Sequence, residues 1–299
     1  MCSLFSRLLL LAASVTPALA FCGAHTHLDR RAEGEEDVPV STFGYTGTDG
    51  PVLWTQLNST ANGLCSTGRN QSPINMVEGQ FTLVPASELD VYIPDVPEGA
   101  EFENLGSTIE VVMKGVGASL ILEDKVYSFE QFHFHHPSEH VDNGVSLPME
   151  MHMVFTSEEE EIAVIGVYVD LVDVPTTVQL HIIPRNSPSN LLETIFSSIG
   201  EIASPGAKTT TKPLIMSELV QFLNTGSFQR YTGSLTTPPC SEGVAWSVAT
   251  EKLLLSKTTY QTVRDVVGFN ARYPQNSLGE QNLLALASGG AEAVANATA

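Results

Sequence analysis

Two short stretches, QFHFHHPSEH at residues 131–140 and PMEMHMVF at residues 148–155, alternate bulky apolar with polar side chains at a period of two. In a β-strand successive side chains point to opposite faces, so residues i and i+2 share one. Gln131, His133 and His135 therefore share one face of the first strand, and Phe132 and Phe134 the other. In the second, Glu150, His152 and Val154 share a face, backed by Met149, Met151, Met153 and Phe155. The chain has eight histidines, and four fall within residues 131–140. This pattern demands a sheet with a thick apolar back and a polar front. Placed side by side, the two strands bring three imidazoles together.

Three neutral imidazoles make a tetrahedral zinc site with a fourth position open to water. Glu150 and Gln131, each two residues from a histidine on its own face, are placed to accept the remaining ring N–H. Such partners fix the tautomer and raise the basicity of the ligand. Spacing alone does not choose the metal.

Other stretches carry the same signals. STIEVVMKG, SFEQFHFHH, MEMHMVF and EIAVIGVYVDLV read as strands, being rich in β-branched and aromatic residues and bounded by turn residues. NLLETIFSSIGEI reads as a helix with Asn190 as its cap, and SKTTYQTVRDVVGF as one capped by Ser256. Strands and helices do not alternate regularly, which argues against a doubly wound sheet. The expected fold is mainly β or α+β: one domain on a large, mostly antiparallel twisted central sheet with peripheral helices. The domain is expected to span 43–285, followed by a flexible tail at 286–299.

Acidic residues outnumber basic ones by 34 to 14, a formal net charge of −20. That excludes nucleic acid and anionic membrane as natural partners, since both repel such a surface. Residues 1–20 have one basic residue, Arg7, an apolar run and a small-residue end at Ala18-Leu19-Ala20. This is the pattern of a secretory signal peptide, and its apolar run is too short to span a bilayer. Residues 21–42 read as an acidic lead-in, with Arg30-Arg31 as a processing point. Without the signal, Cys22, Cys65 and Cys240 remain. Cleavage after Arg31 would leave two cysteines to pair; otherwise Cys22 stays free or joins two chains. Asn58-Ser59-Thr60 and Asn296-Ala297-Thr298 are glycosylation acceptors in an exported chain. Asn70-Gln71-Ser72 fits the triplet too, but lies in a segment that reads as structured.

QFHFHHPSEH, PMEMHMVF and YTGSLTTPPCSEGVAWSV together resemble the alpha-class carbonic anhydrases. FGYTG at 43–47, RNQSPIN at 69–75 and FNARYPQ at 269–275 match that family too, in family order. The compact HFHHPSEH is similar to the short-loop bacterial and fungal members. The resemblance implies a Zn²⁺ enzyme that hydrates CO2 reversibly to bicarbonate and a proton through zinc-bound hydroxide, with weak esterase side activity. It implies His133, His135 and His152 as zinc ligands. Thr236 would take the hydrogen bond of the hydroxide, and Glu139 would accept the Thr236 proton. Thr237, Val154, Val164, Leu235, Val244 and Trp246 would form the substrate pocket, with Tyr45 in the hydrogen-bond network. Cys65 and Cys240 match the disulfide of secreted members. Ser107 falls where the family often has a proton-shuttling histidine, and serine does not titrate near neutrality. His140 reads as structural, and His136 as facing outward on a turn. A homodimer is compatible with this reading. Three other readings remain: a catalytically silent storage or binding relative, a cupin using Glu139 as a ligand to iron or manganese, and a zinc esterase whose hydroxide acts on a true ester substrate.

Overall fold

The computed structural model describes residues 38–173 and 187–289. The leader, Cys22, Arg30-Arg31 and Asn296 lie outside the described residues. In the first half of the chain the strands are β1 (Asn75–Met76), β2 (Thr82–Pro85), β3 (Asp90–Tyr92), β4 (Glu101–Asn104), β5 (Ile109–Val112), β6 (Ser119–Leu122) and β7 (Lys125–His135). They are followed by β8 (Val141–Asp142), β9 (Val145–Ser146), β10 (Met149–Ser157), β11 (Ile162–Val172), β12 (Lys208–Thr210), β13 (Ser227–Ser234) and β14 (Glu242–Ser256). The helices are α1 (Trp54–Leu57), α2 (Leu64–Thr67), α3 (Asn190–Phe196), α4 (Met216–Leu223) and α5 (Lys257–Val267).

Eleven strands form one sheet in the order β12-β4-β5-β7-β10-β11-β14-β13-β2, with β6 on β7 and β3 on β6. The pairing is antiparallel except between β11 and β14. This is the large, mostly antiparallel sheet with peripheral helices that the strand pattern predicts.

One face carries the main core. Phe132, Phe134, Met149, Met151, Met153 and Phe155 are buried there, and α3, α4 and α5 add Leu192, Leu219 and Val263. Phe134 packs against Phe196 of α3 with ring centroids 4.8 Å apart. Burying each such phenylalanine stabilises the fold by about 1.5–3 kcal/mol. By strict alternation Phe129 would fall on the histidine face. A register shift between Val154 and Phe155 pairs Phe155 with Phe129 instead of residue 130. The extra residue on β7 is a bulge, and it returns Phe129 to the core, stacked on Phe155 at 4.5 Å. The opposite face holds a smaller apolar cluster, described with the site below.

Three local expectations are revised. The α3 cap is Ser189, whose side chain accepts from Leu192 N, and Asn190 is the first helical residue. A hydroxyl reaching the third amide outcompetes an Asn one position later. Ser256 caps α5 as expected, accepting from Thr259 N. Residues 38–42 are not a loose lead-in: Val38 is buried and Ser41 N donates to Leu105 O at 2.9 Å. At the other end residues 283–289 are helical, across the boundary placed at 285.

Cys65 and Cys240 form a disulfide across 175 residues, and both are fully buried. It ties α2 to the segment that follows Thr237. Cys65→Ala with Cys240→Ala should lower the unfolding free energy by about 2–5 kcal/mol, read by equilibrium denaturation. A double variant as stable as the oxidised parent would show that this crosslink contributes nothing.

Candidate metal centre

Strand pairing assembles the histidines. β7 and β10 place His133 opposite His152 and His135 opposite Glu150. Ring centroids lie 5.0 Å apart for His133–His135, 5.3 Å for His133–His152 and 4.5 Å for His135–His152. One nitrogen from each converges, all within 4.8 Å of one another, and all three rings are buried.

The second nitrogen of each ring faces an acceptor. His133 Nδ1 meets Gln131 Oε1 at 2.9 Å, and His135 Nδ1 meets the Asn270 carbonyl at 2.8 Å. His152 Nε2 lies 3.0 Å from Glu150 Oε1. A neutral imidazole carries one N–H and one lone pair. An acceptor outside therefore fixes the proton outward and turns the lone pair inward. The inward set is His133 Nε2, His135 Nε2 and His152 Nδ1. Three lone pairs at one point, with their protons held elsewhere, is the donor chemistry a borderline-soft divalent metal takes. The residues fit such an ion.

Gln131 and Glu150 are legible from spacing; Asn270 is not, because it acts through its backbone, 135 residues from His135. Its side chain holds that carbonyl in place. Nδ2 donates to Phe134 O at 2.9 Å and Ser107 O at 3.1 Å, and Oδ1 accepts from His136 N at 2.6 Å. The matching FNARYPQ stretch is the one sequence signal that pointed to this segment.

Glu150 is pinned from four sides. Its Oε2 accepts from Glu139 N at 2.9 Å and His140 N at 2.8 Å. Its Oε1 meets His140 Nδ1 at 2.7 Å as well as His152. His140 Nε2 reaches the Tyr231 hydroxyl at 2.7 Å, which in turn meets Ser72 Oγ at 2.8 Å. His140 is thus a buried structural post. Burial pushes the Glu150 carboxyl up, but the neighbouring His140 and His152 outweigh it and hold the group well below the usual carboxylate range.

Glu139 Oε1 accepts from Arg272 N at 2.8 Å, and the Thr236 hydroxyl hydrogen-bonds the same carboxylate. Its Oε2 stands 3.4 Å from His135 Nε2 and 3.9 Å from His152 Nδ1. Burial, above all, pushes this carboxyl well up, against the Arg272 amide and the Thr236 hydroxyl. A divalent cation nearby opposes that push. The donors of the three-histidine group converge here, with Glu139 Oε2 close beside them.

Val154, Val164, Leu235, Val244 and Trp246 lie in one buried apolar cluster. Cross-strand pairing aligns Val154 with Val164 and Val164 with Trp246, and the Trp246 ring sits 4.9 Å from that of His152. Thr237 is also buried, its carbonyl accepting from Cys240 N at 2.8 Å. Tyr45 packs edge-on to His135 at 6.5 Å, but its buried hydroxyl has no hydrogen-bond partner among the described residues. Ser107 is buried, and its hydroxyl meets Ser41 Oγ at 2.6 Å. His136 is half-buried at the surface, its ring contacting the Gly268 carbonyl at 3.0 Å and the Tyr260 hydroxyl at 2.5 Å.

Comparison with known proteins agrees with this geometry. The model of the eukaryotic-type carbonic anhydrase family matches residues 49–282. A carbonic anhydrase of Neisseria gonorrhoeae is 33% identical over 243 residues, covering 81% of each chain. Alpha carbonic anhydrase 6 of Arabidopsis thaliana is 32% identical over 210 residues, 70% of this chain and 73% of its own. The structure of the fungal alpha carbonic anhydrase from Aspergillus oryzae superposes with a TM-score of 0.75 at 37% identity, covering 83% of this chain and 99% of that one.

Gln131→Ala should weaken metal binding about 10–100-fold, measured by chelator competition. Unchanged affinity would mean that the His133 tautomer is set by something else.

Proposed function

This chain belongs to the eukaryotic-type alpha carbonic anhydrase family, and on that premise we propose that His133, His135 and His152 hold a catalytic Zn²⁺ for the reversible hydration of CO2. The protein is a carbonic anhydrase, a lyase. The observation that carries the zinc reading is the commitment of all three outer imidazole nitrogens to fixed acceptors. When bound, the metal lowers the pKa of its water, to about 7 in carbonic anhydrases, and so supplies hydroxide at neutral pH.

The chain's own residues do the rest. Thr236 donates its proton to Glu139, so its oxygen is left to accept one from a nucleophile at the centre. That sets the direction of the attacking lone pair. Val154, Val164, Leu235, Val244 and Trp246 offer CO2 an apolar wall, and Thr237 borders it. Excluding water there strengthens each polar contact in the site. The same arrangement supports weak esterase side activity. Product formation releases a proton, and Ser107, tied to Ser41 and unable to titrate near neutrality, does not relay it. Buffer in solution takes that part.

We read the protein as exported through residues 1–20. A buried disulfide supports an oxidising compartment, and no helix among the described residues is long and apolar enough to cross a membrane. Asn58 and its triplet are exposed, whereas Ser72 of the Asn70 triplet is fully buried, with its amide donating to Ser234 Oγ. Glycan is therefore expected on Asn58 and not on Asn70. Glycosidase treatment of the secreted protein followed by peptide mass analysis checks this, and occupancy at Asn70 would contradict it.

The functional test is stopped-flow CO2 hydration. Chelation should abolish activity and zinc restore it, with turnover rising as imidazole-type buffer is added. Fast turnover independent of buffer would overturn the assignment at Ser107, and inactivity at full zinc occupancy would favour the silent storage or binding relative.

A further inference from the structure

β11 is a central strand of bulky residues with one gap. Val164, Ile165, Val167 and Tyr168 surround Gly166, and the strand loses packing and order wherever glycine stands. Its backbone does not require glycine, because Gly166 is not among the residues with positive φ. The register against β14 shifts just after Gly166, a bulge that a glycine accommodates, and the space around the residue is a second and separate constraint. Gly166 lies directly opposite His152 on one side and Val248 on the other. A Cβ there would stand 3.0 Å from Glu150 Oε1, and 3.6 Å from both Trp246 and Val248. The last two are ordinary contacts; the first is too close for the oxygen to stay where it is. That oxygen touches both His152 Nε2 and His140 Nδ1. It also has no freedom to turn, because its twin is held by two backbone amides.

We propose that Gly166 is a positioning residue of the metal centre: the room left by its missing Cβ seats the Glu150 carboxylate, and through it orients His152. The proposal rests on the zinc reading above.

The test is a double-mutant cycle on the full chain, with zinc affinity read by chelator competition and His152 ring-nitrogen protonation read by ¹⁵N NMR on the metal-free protein. Gly166→Ala should weaken zinc about 10–100-fold and disturb the His152 Nε2–H signal. Ile165→Val, which trims the same strand on its core face, should leave both unchanged. Glu150→Asp withdraws the carboxylate by one methylene, so adding Gly166→Ala to it should cost no further affinity. If Gly166→Ala alone fails to fold, folding of the double variant supports the proposal and its failure to fold overturns it. Wild-type affinity with an unchanged His152 signal in Gly166→Ala overturns it, as do penalties that simply add. A parent protein that takes up no zinc sinks the zinc reading instead, and the NMR arm still decides whether Gly166 sets the Glu150–His152 contact.

Discussion

Polar acceptors at the back of each histidine govern this structure. An imidazole offers a lone pair to a metal only if its proton sits on the other nitrogen, and here three different acceptors stand within 3.0 Å of those outer nitrogens. One is an amide side chain on the same strand, one a backbone carbonyl from the C-terminal segment, one a buried carboxylate. Their variety explains why the site mixes nitrogens. His133 and His135 point Nε2 inward, while His152, whose Nε2 is taken, points Nδ1. The carboxylate is the most elaborate of the three, serving two imidazoles and two amides at once. It costs desolvation, which those four contacts offset.

The sheet acts as the jig for these bonds. Its back is packed by phenylalanine, methionine and the helices, so β7 and β10 cannot slide without burying polar groups in the core. The apolar half of the front then lies next to the imidazoles by register alone, since Val154 follows His152 on the same face. Thr236 and Glu139 come from loops at the strand ends. Glu139 is held by the Arg272 amide, whose guanidinium reaches Ser72 O, Cys65 O and Gln71 Oε1. The disulfide and the fully buried arginine thereby connect the N-terminal helices to the loop that carries Glu139.

Much of this was legible in the sequence because it depends on a period of two. The faces of His133, His135, His152, Gln131 and Glu150 follow from alternation, and so does the apolar back. What depends on distant chain did not show. Asn270 contributes a carbonyl that every residue possesses. The burial of residues 38–42 and the coupling of Ser41 to Ser107 arise from tertiary contact over sequence that reads as polar linker. The bulge that returns Phe129 to the core breaks the very alternation used to read β7. The Tyr45 hydroxyl was placed by resemblance, and its surroundings among the described residues do not supply a partner.

The account reduces to which atoms face inward. A crystal structure of the zinc-loaded protein, with the metal located by anomalous scattering at the zinc edge, tests it most directly. The account predicts one ion bound by His133 Nε2, His135 Nε2 and His152 Nδ1, with Gln131, Asn270 and Glu150 still on the outer nitrogens. Zinc held through His152 Nε2, or bound away from these three rings, would contradict it.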